Sequence, residues 1–247
     1  MITLAEKTAL VTGAAKRLGR ATSLALANEG ANIVVHYATS KSEAETLAHE
    51  IESAGVKAWT VKGNLANPAE APELFERARS AAGSIELLVN NASIFPESTF
   101  AEFGSDEVHA NIDLHAIAPA FLARALHRTG VTGAVVNMID CMIADYDRKH
   151  LAYHLSKRML HTLTRIMAVE LAPRLRVSGV APGLVLPPVG KDESYLATLA
   201  STNALNRFGS PEDIAATVVF LMKSDFIAGE VIYVDGGRNL RGSMYGG

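Results

Sequence analysis

The chain has almost no cysteine: Cys141 is the only one in 247 residues, so no disulfide can close within it. It contains no run approaching the ~20 apolar residues that cross a bilayer. Charge of one sign is not in excess either, since 23 Lys and Arg stand against 26 Asp and Glu for a formal net charge of −3. Without a basic cluster to grip a phosphate backbone, no nucleic-acid partner is expected. The eight histidines include no HExxH and no Cys/His spacing of a zinc site, so no metal is expected. The opening "MITLAEKTALVTG" has neither the basic n-region nor the apolar h-region of a signal peptide. These absences predict a soluble cytoplasmic protein with no membrane partner. Cys141 reads as a small core residue rather than a reactive thiol.

What is present is an alternation of short apolar runs with longer amphipathic segments. Thr8–Val11, Asn32–His36, Ala58–Lys62, Leu87–Asn90, Ala134–Met138, Arg176–Ala181 and Glu230–Val234 read as strands, with helical patterns between them. Strands that are apolar throughout imply burial on both faces, and helical crossovers imply parallel pairing. The prediction is a doubly wound α/β sheet of about seven parallel strands. No repeat, low-complexity tract or Pro/Gly linker divides the chain, so a single domain over residues 1–247 is expected. Ligands of such sheets bind beyond the carboxyl ends of the strands. The informative residues are therefore Gly13–Arg17, His36–Ser40, Asn64–Leu65, Asn90–Phe95, Met138–Asp140 and Pro182–Leu186.

In "TGAAKRLG", Gly13 permits a tight turn after the first strand and Gly19 a close helix–sheet approach. The free N–H groups of the helix start, at Lys16, Arg17, Leu18 and Gly19, favour a pyrophosphate, although such turns also occur for structural reasons alone. Arg17 stands where a second glycine might be looked for. It either adds charge to a phosphate site, reaches across a cofactor toward a substrate, or is a solvated surface cation. The second strand ends in "VVHYATSKSEAE", with no acid placed to hold a ribose 2′-hydroxyl. Ser40, with help from His36, Lys16 and Lys41, would instead accept a 2′-phosphate, so NADPH is the expected cofactor. Tyr37 and Leu65 flank that end.

"YHLSK" places Tyr153 and Lys157 about 40° apart on one helical face. An ammonium near a phenol stabilises phenolate and lowers the tyrosine pKa.

With Thr12–Gly13 through Gly19, Asn90–Asn91–Ala92, Asn111, Tyr153/Lys157 and Pro182–Gly183 in this order, the chain resembles the short-chain dehydrogenase/reductase family along essentially its whole length. The resemblance implies a seven-stranded Rossmann-type sheet and hydride transfer from a nicotinamide, with Tyr153 as proton donor. Lys157 would bind the ribose and lower the Tyr153 pKa. Asn111, in "HANIDLHAIAPAFLARAL", would support a proton relay through a kinked helix, Asn91 and Ala92 would approach the adenosine ribose, and Asn64, where the family more often has aspartate, would accept from the adenine amino group through its side-chain carbonyl. It also implies a homotetramer, with the long helices around Asn111 and Tyr153 at the interfaces.

Asp140 occupies the position, thirteen residues before Tyr153, where most members of that family carry serine. A carboxylate there opposes phenolate formation and donates to a carbonyl only when protonated. It signals either a dead enzyme or a different substrate. Arg17, Ser93 and Phe95 in "NNASIF", Asp140, and Tyr153/Lys157 together resemble pteridine reductases. "DRKHLAYHLSK" and "VDGGRNLRG" are similar to bacterial dihydromonapterin and dihydrofolate reductases of that subfamily. This implies that Arg17 reaches both phosphates and pterin and that Phe95 stacks on the pterin ring. Ser93, Asp140 and Tyr153 would complete the substrate site, with Asp140 relaying a proton to Tyr153. Phe95 is otherwise a loop residue covering the core. "APGLVLPP" would open a substrate loop over about residues 183–207, with Gly183 and Leu184 beside the cofactor and Leu184 and Leu186 as apolar walls; its Gly and Pro otherwise make turns. The competing readings are a reductase of a carbonyl substrate, such as a 3-oxoacyl thioester or sugar ketone, and a non-catalytic NADP(H)-sensing protein.

Overall fold

Alternate residues of each strand pack into different clusters, which builds three layers. On one face, Ala9 and Val11, Ile33 and Val35, Leu87 and Val89, and Ala134 and Val136 join a core with Leu26, Leu47, Ile51, Ile214 and Leu221. On the other, Leu10, Val34, Leu88, Val135 and Val177 meet Leu74, Phe75, Leu122, Leu126 and Met167. A period of two along a strand with both faces apolar requires a covering helix on each side.

The computed structural model describes residues 1–145 and 147–240. Its strands are β1 (Thr8–Val11), β2 (Asn32–Tyr37), β3 (Ala58–Lys62), β4 (Leu87–Asn90), β5 (Gly133–Met138), β6 (Leu175–Pro182) and β7 (Val231–Val234). The helices are α1 (Arg17–Asn28), α2 (Lys41–Ser53), α3 (Ala71–Ala82), α4 (Ser105–Ile112), α5 (Ala118–Arg128), α6 (Leu151–Glu170), α7 (Glu193–Leu199) and α8 (Pro211–Lys223). Expected strand limits hold to one residue at each end, because β2, β5 and β6 each gain ladder partners just beyond the apolar run.

The seven strands are all parallel in the order β3-β2-β1-β4-β5-β6-β7, a Rossmann-type single domain. The connection reverses direction between β1 and β4, which opens a crevice at their carboxyl ends. A buried polar ladder orders the neighbouring elements: Asn90 on β4 donates to Asn137 on β5 at 2.8 Å, and Asn137 donates to Thr164 on α6 at 2.8 Å. These bonds hold α6, with its Tyr153 and Lys157, against the crevice.

α4 and α5 are joined by a π-helical turn, Asp113–Ile117. Pro119 has no N–H to give the His115 carbonyl four residues earlier, so a regular α-helix cannot run through this point. The widened turn is the kink.

The segment expected to form the substrate loop is not only turns: within 183–207 lie α7 and a 3₁₀ turn at Ala200–Thr202. The end of "VDGGRNLRG", Arg241 and Gly242, lies outside the described residues.

Candidate active site

The opening turn is built by long-range hydrogen bonds. The Asn91 side chain donates to the carbonyls of Thr12, at 2.9 Å, and Gly13, at 3.1 Å. The Thr12 hydroxyl oxygen accepts from the backbone N–H of Asn91 and Ala92 at 2.9 and 3.0 Å. Gly13 takes φ +61°, and a Cβ at Gly19 would lie 2.2 Å from the Gly13 carbonyl oxygen, so a side chain cannot fit there. Arg17 has φ +55°, a left-handed conformation that favours glycine. The position does want a glycine backbone, and an arginine bears the strain. Its guanidinium donates to the Pro187 carbonyl at 2.6 Å, which ties the turn after β1 to the 183–207 segment. No side chain caps α1, so its first N–H groups are left for an anion.

β1, β4, β5, α6 and the 183–207 segment enclose a cavity of about 950 Å³. It gathers Gly13, Lys16, Arg17, Leu18, Gly19, Asn91, Ala92, Ser93, Phe95, Asp140, Tyr153, Lys157, Pro182, Gly183, Leu184 and Leu186, nearly every predicted contact of the nicotinamide and substrate ends. A dinucleotide fits these residues: an uncapped helix start, a turn closed to any Cβ, and exposed Lys16 and Arg17 cations at one end.

The Tyr153 hydroxyl donates to Asp140 Oδ2 at 3.0 Å, while Asp140 Oδ1 accepts from the Met142 N–H at 2.8 Å. Lys157 Nζ is buried, donates to the Met138 carbonyl at 2.7 Å and lies 5.5 Å from the Tyr153 ring centroid. Burial lowers the Lys157 pKa to about 8, with Asp140 opposing the fall. Burial, and then the Asp140 carboxylate, push the Tyr153 phenol well above its usual range. The expectation that Lys157 lowers the Tyr153 pKa is therefore corrected in this state: the carboxylate is the closer charge and acts in the opposite direction. Tyr153 is held as a protonated donor paired with a carboxylate, an arrangement suited to relaying a proton.

Phe95 is half exposed and lines the cavity rather than covering the core. Its ring stacks on His150 at 3.8 Å between centroids and meets Tyr153 edge-on at 4.7 Å.

Two assignments are corrected. His36 is buried, its Nδ1 accepts from the Gly13 N–H at 3.0 Å, and its Nε2 lies 3.2 Å from the Gly63 carbonyl. With both nitrogens spent on backbone it braces the turn and has nothing to offer a 2′-phosphate. Asn111 is fully buried outside the cavity, donating to the Glu107 carbonyl at 2.9 Å. The residue one helical turn later, His115, meets Tyr153 edge-on at 5.3 Å instead. Tyr37 and Leu65 are buried, Asn64 Oδ1 accepts from the Ala66 N–H at 3.1 Å, and Ser40 stands at the start of α2. All four lie outside the cavity, at the ends of β2 and β3. Lys16 is paired with Glu43 at 2.6 Å, an acid near the second strand that the reading of that strand's end passed over.

Sequence reasoning missed His115, His150 and Arg238, of which the last two line the cavity. The one available signal was spacing: His115 follows Asn111 by four residues and precedes the same Ala-Ile-Ala-Pro run.

Residues 13–239 match the family model described as Enoyl-(Acyl carrier protein) reductase. The 3-oxoacyl-[acyl-carrier-protein] reductase FabG of Staphylococcus epidermidis is 33% identical over 94% of this chain and 98% of its own length. An L-rhamnose 1-dehydrogenase (NAD(P)(+)) of a Sphingomonas species is 30% identical over 95% of this chain and 96% of its own length. Among solved structures, FolM alternative dihydrofolate reductase 1 from Brucella canis, complexed with NADP, superposes with a TM-score of 0.92 at 31% identity, covering 98% of this chain and 97% of that one. No described helix is long and apolar enough to cross a membrane. With the Tyr153/Lys157 pair on one helix beside the β1–β4 crevice and full-length similarity to reductases and dehydrogenases of this type, the chain belongs to the short-chain dehydrogenase/reductase family of oxidoreductases.

Proposed function

We propose that the protein is an NADPH-dependent reductase of a dihydropterin such as dihydromonapterin, dihydrobiopterin or dihydrofolate. The observation that carries this reading is the Tyr153–Asp140 hydrogen bond beside the Phe95 ring in one cavity. A ketone reductase needs a neutral donor at position 140 to hold the carbonyl; a carboxylate suits a substrate whose ring nitrogen must receive a proton. The likeness to the NADP complex of FolM supports both the cofactor and the substrate class.

NADPH would supply the hydride, and Gly13, Arg17, Gly19, Asn91, Ala92, Lys157 and Gly183 would hold it. Phe95 gives a flat heterocycle an aromatic surface, worth ~0.5–1.5 kcal/mol beyond area burial. Ser93, Leu184 and Leu186 bound the ring, and Arg17 stands between phosphates and substrate. As a C=N bond is reduced at carbon, Tyr153 donates its proton to the ring nitrogen, and half-buried Asp140 returns one to Tyr153 from solvent. The buried Lys157 ammonium offsets the negative charge of the pair at that moment.

The similarity to FabG favours a second reading, reduction of a 3-oxoacyl thioester. NADPH oxidation by the purified protein with the three dihydropterins, alongside acetoacetyl thioester, separates the two. Pterin-dependent oxidation that Asp140→Ala abolishes is expected; turnover of the thioester alone defeats the pterin reading. No turnover of either, with NADPH still bound, leaves the sensor. The same proposal includes a cytoplasmic homotetramer of single-domain subunits, with residues 183–207 closing over the substrate.

A further inference from the structure

We propose that His115 is a positioning residue that clamps the Ser93–Phe95 wall of the substrate pocket to the helix carrying Tyr153. The inference rests on that segment being the substrate wall, as proposed above, whichever substrate it meets.

His115 lies in the π-helical turn between α4 and α5 and is 1% exposed. Its Nε2 accepts from the Ile94 N–H at 3.1 Å, and the Ser93 hydroxyl lies 3.0 Å from the same nitrogen. Nδ1 faces the Ser156 hydroxyl at 2.8 Å, and Ser156 in turn donates to the Tyr153 carbonyl at 2.7 Å. Since Ser156 spends its proton on that carbonyl, Nδ1 must carry the imidazole proton and Nε2 must be the acceptor. The chain of bonds runs from the Ser93–Ile94 segment through one ring to the first turn of α6. Tyr153 also makes T-shaped contacts with the same ring and with Phe95, at 5.3 and 4.7 Å.

Only a neutral imidazole makes this set of bonds. Burial and the nearby Lys157 charge keep it neutral, both lowering its pKa well below the usual value. The position also explains the π turn. Widening the helix where Pro119 has no N–H to give the His115 carbonyl brings His115 between the Ser93–Ile94 segment and α6, a place that Asn111, one turn earlier, does not reach.

Two amides divide the clamp. The Gln side chain places its oxygen near the site of Nε2, so His115→Gln keeps an acceptor for the loop. The shorter Asn side chain keeps a donor for Ser156 and loses the loop. We expect H115N to raise KM for the substrate about tenfold, roughly one hydrogen bond of positioning, while kcat and the NADPH Kd stay near wild type. H115Q should stay close to the wild-type KM. A purely structural role would lower Tm in both variants and leave the two KM values alike; that result overturns the proposal. Where H115N does not fold, the ¹⁵N resonances of His115 in the wild-type protein decide. Addition of saturating substrate to the NADPH complex should shift Nε2, and an unmoved Nε2 overturns the clamp. KM is read on whichever substrate the wild type turns over. Failure of all pterins therefore defeats the pterin reading and leaves the clamp to be tested on the 3-oxoacyl thioester.

Discussion

Lys157 and His36 show what burial does to a titratable side chain when different partners meet it. Lys157 keeps a single carbonyl partner, and its pKa falls to about 8, so its charge is present below that value and lost above it. If that charge faces the cofactor ribose and phosphates, the NADPH Kd should rise as pH passes about 8, and Lys157→Met should bind weakly with no such rise; titration calorimetry from pH 6.5 to 9 checks it. His36 has a pKa lowered from 6.5 to about 4, burial being the main cause. The unfolded chain then binds more protons than the folded one between those values, so stability falls as pH drops from 6.5 toward 4 and is flat above 6.5. The shift corresponds to about 3 kcal/mol at full development. His115 adds to the loss in the same direction. Urea midpoints at pH 7 and 4.5 should therefore differ less in His36→Gln, which keeps an acceptor for the Gly13 N–H and does not titrate.

At the scale of elements, α1 and the π turn carry opposite lessons. α1 was readable because its constraint is local: Gly13 and Gly19 are six residues apart, and the structure sets them in contact. Gly19→Ala puts a methyl group 2.2 Å from the Gly13 oxygen, so the turn must open. Loss of NADPH binding by at least about a hundredfold is expected with the secondary structure retained, read by fluorescence titration and circular dichroism. The helix around Asn111 was readable only in part. The family resemblance implied a kink, but which side chain the kink turns toward Tyr153 depends on how many residues the widened turn absorbs, and it is His115 rather than Asn111 whose ring meets Tyr153. Similarly, the Tyr153/Lys157 spacing announced a shared face without showing that Asp140 would be the nearer charge.

At the scale of the molecule, α6 carries exposed Leu155, Met159, Ile166 and Val169. At 100° per residue these fall within about 80° of one another, an apolar stripe interrupted only by exposed Thr162 on the side of the helix away from the sheet. A stripe of this kind on a helix beside the active site supports assembly through α6. Leu155→Asp combined with Ile166→Asp should shift the sedimentation coefficient of the protein from an oligomer toward a monomer, whereas a wild type that sediments as a monomer removes the homotetramer from the proposal.

The strand runs, the parallel doubly wound character of the sheet, the turn glycines and the Tyr153/Lys157 face were determined by sequence alone, because each follows from spacing between residues near one another along the chain. Only the tertiary structure decided which polar side chains the site can use. His36 bonds to a backbone N–H 23 residues before it, and His115 links segments 22 residues before and 41 residues after it. Arg17 reaches a carbonyl 170 residues away. Periodicity reports which face of an element is apolar; the partner of a buried donor or acceptor is set by packing between elements, and a side chain whose bonds are already satisfied within the fold has none left for a ligand.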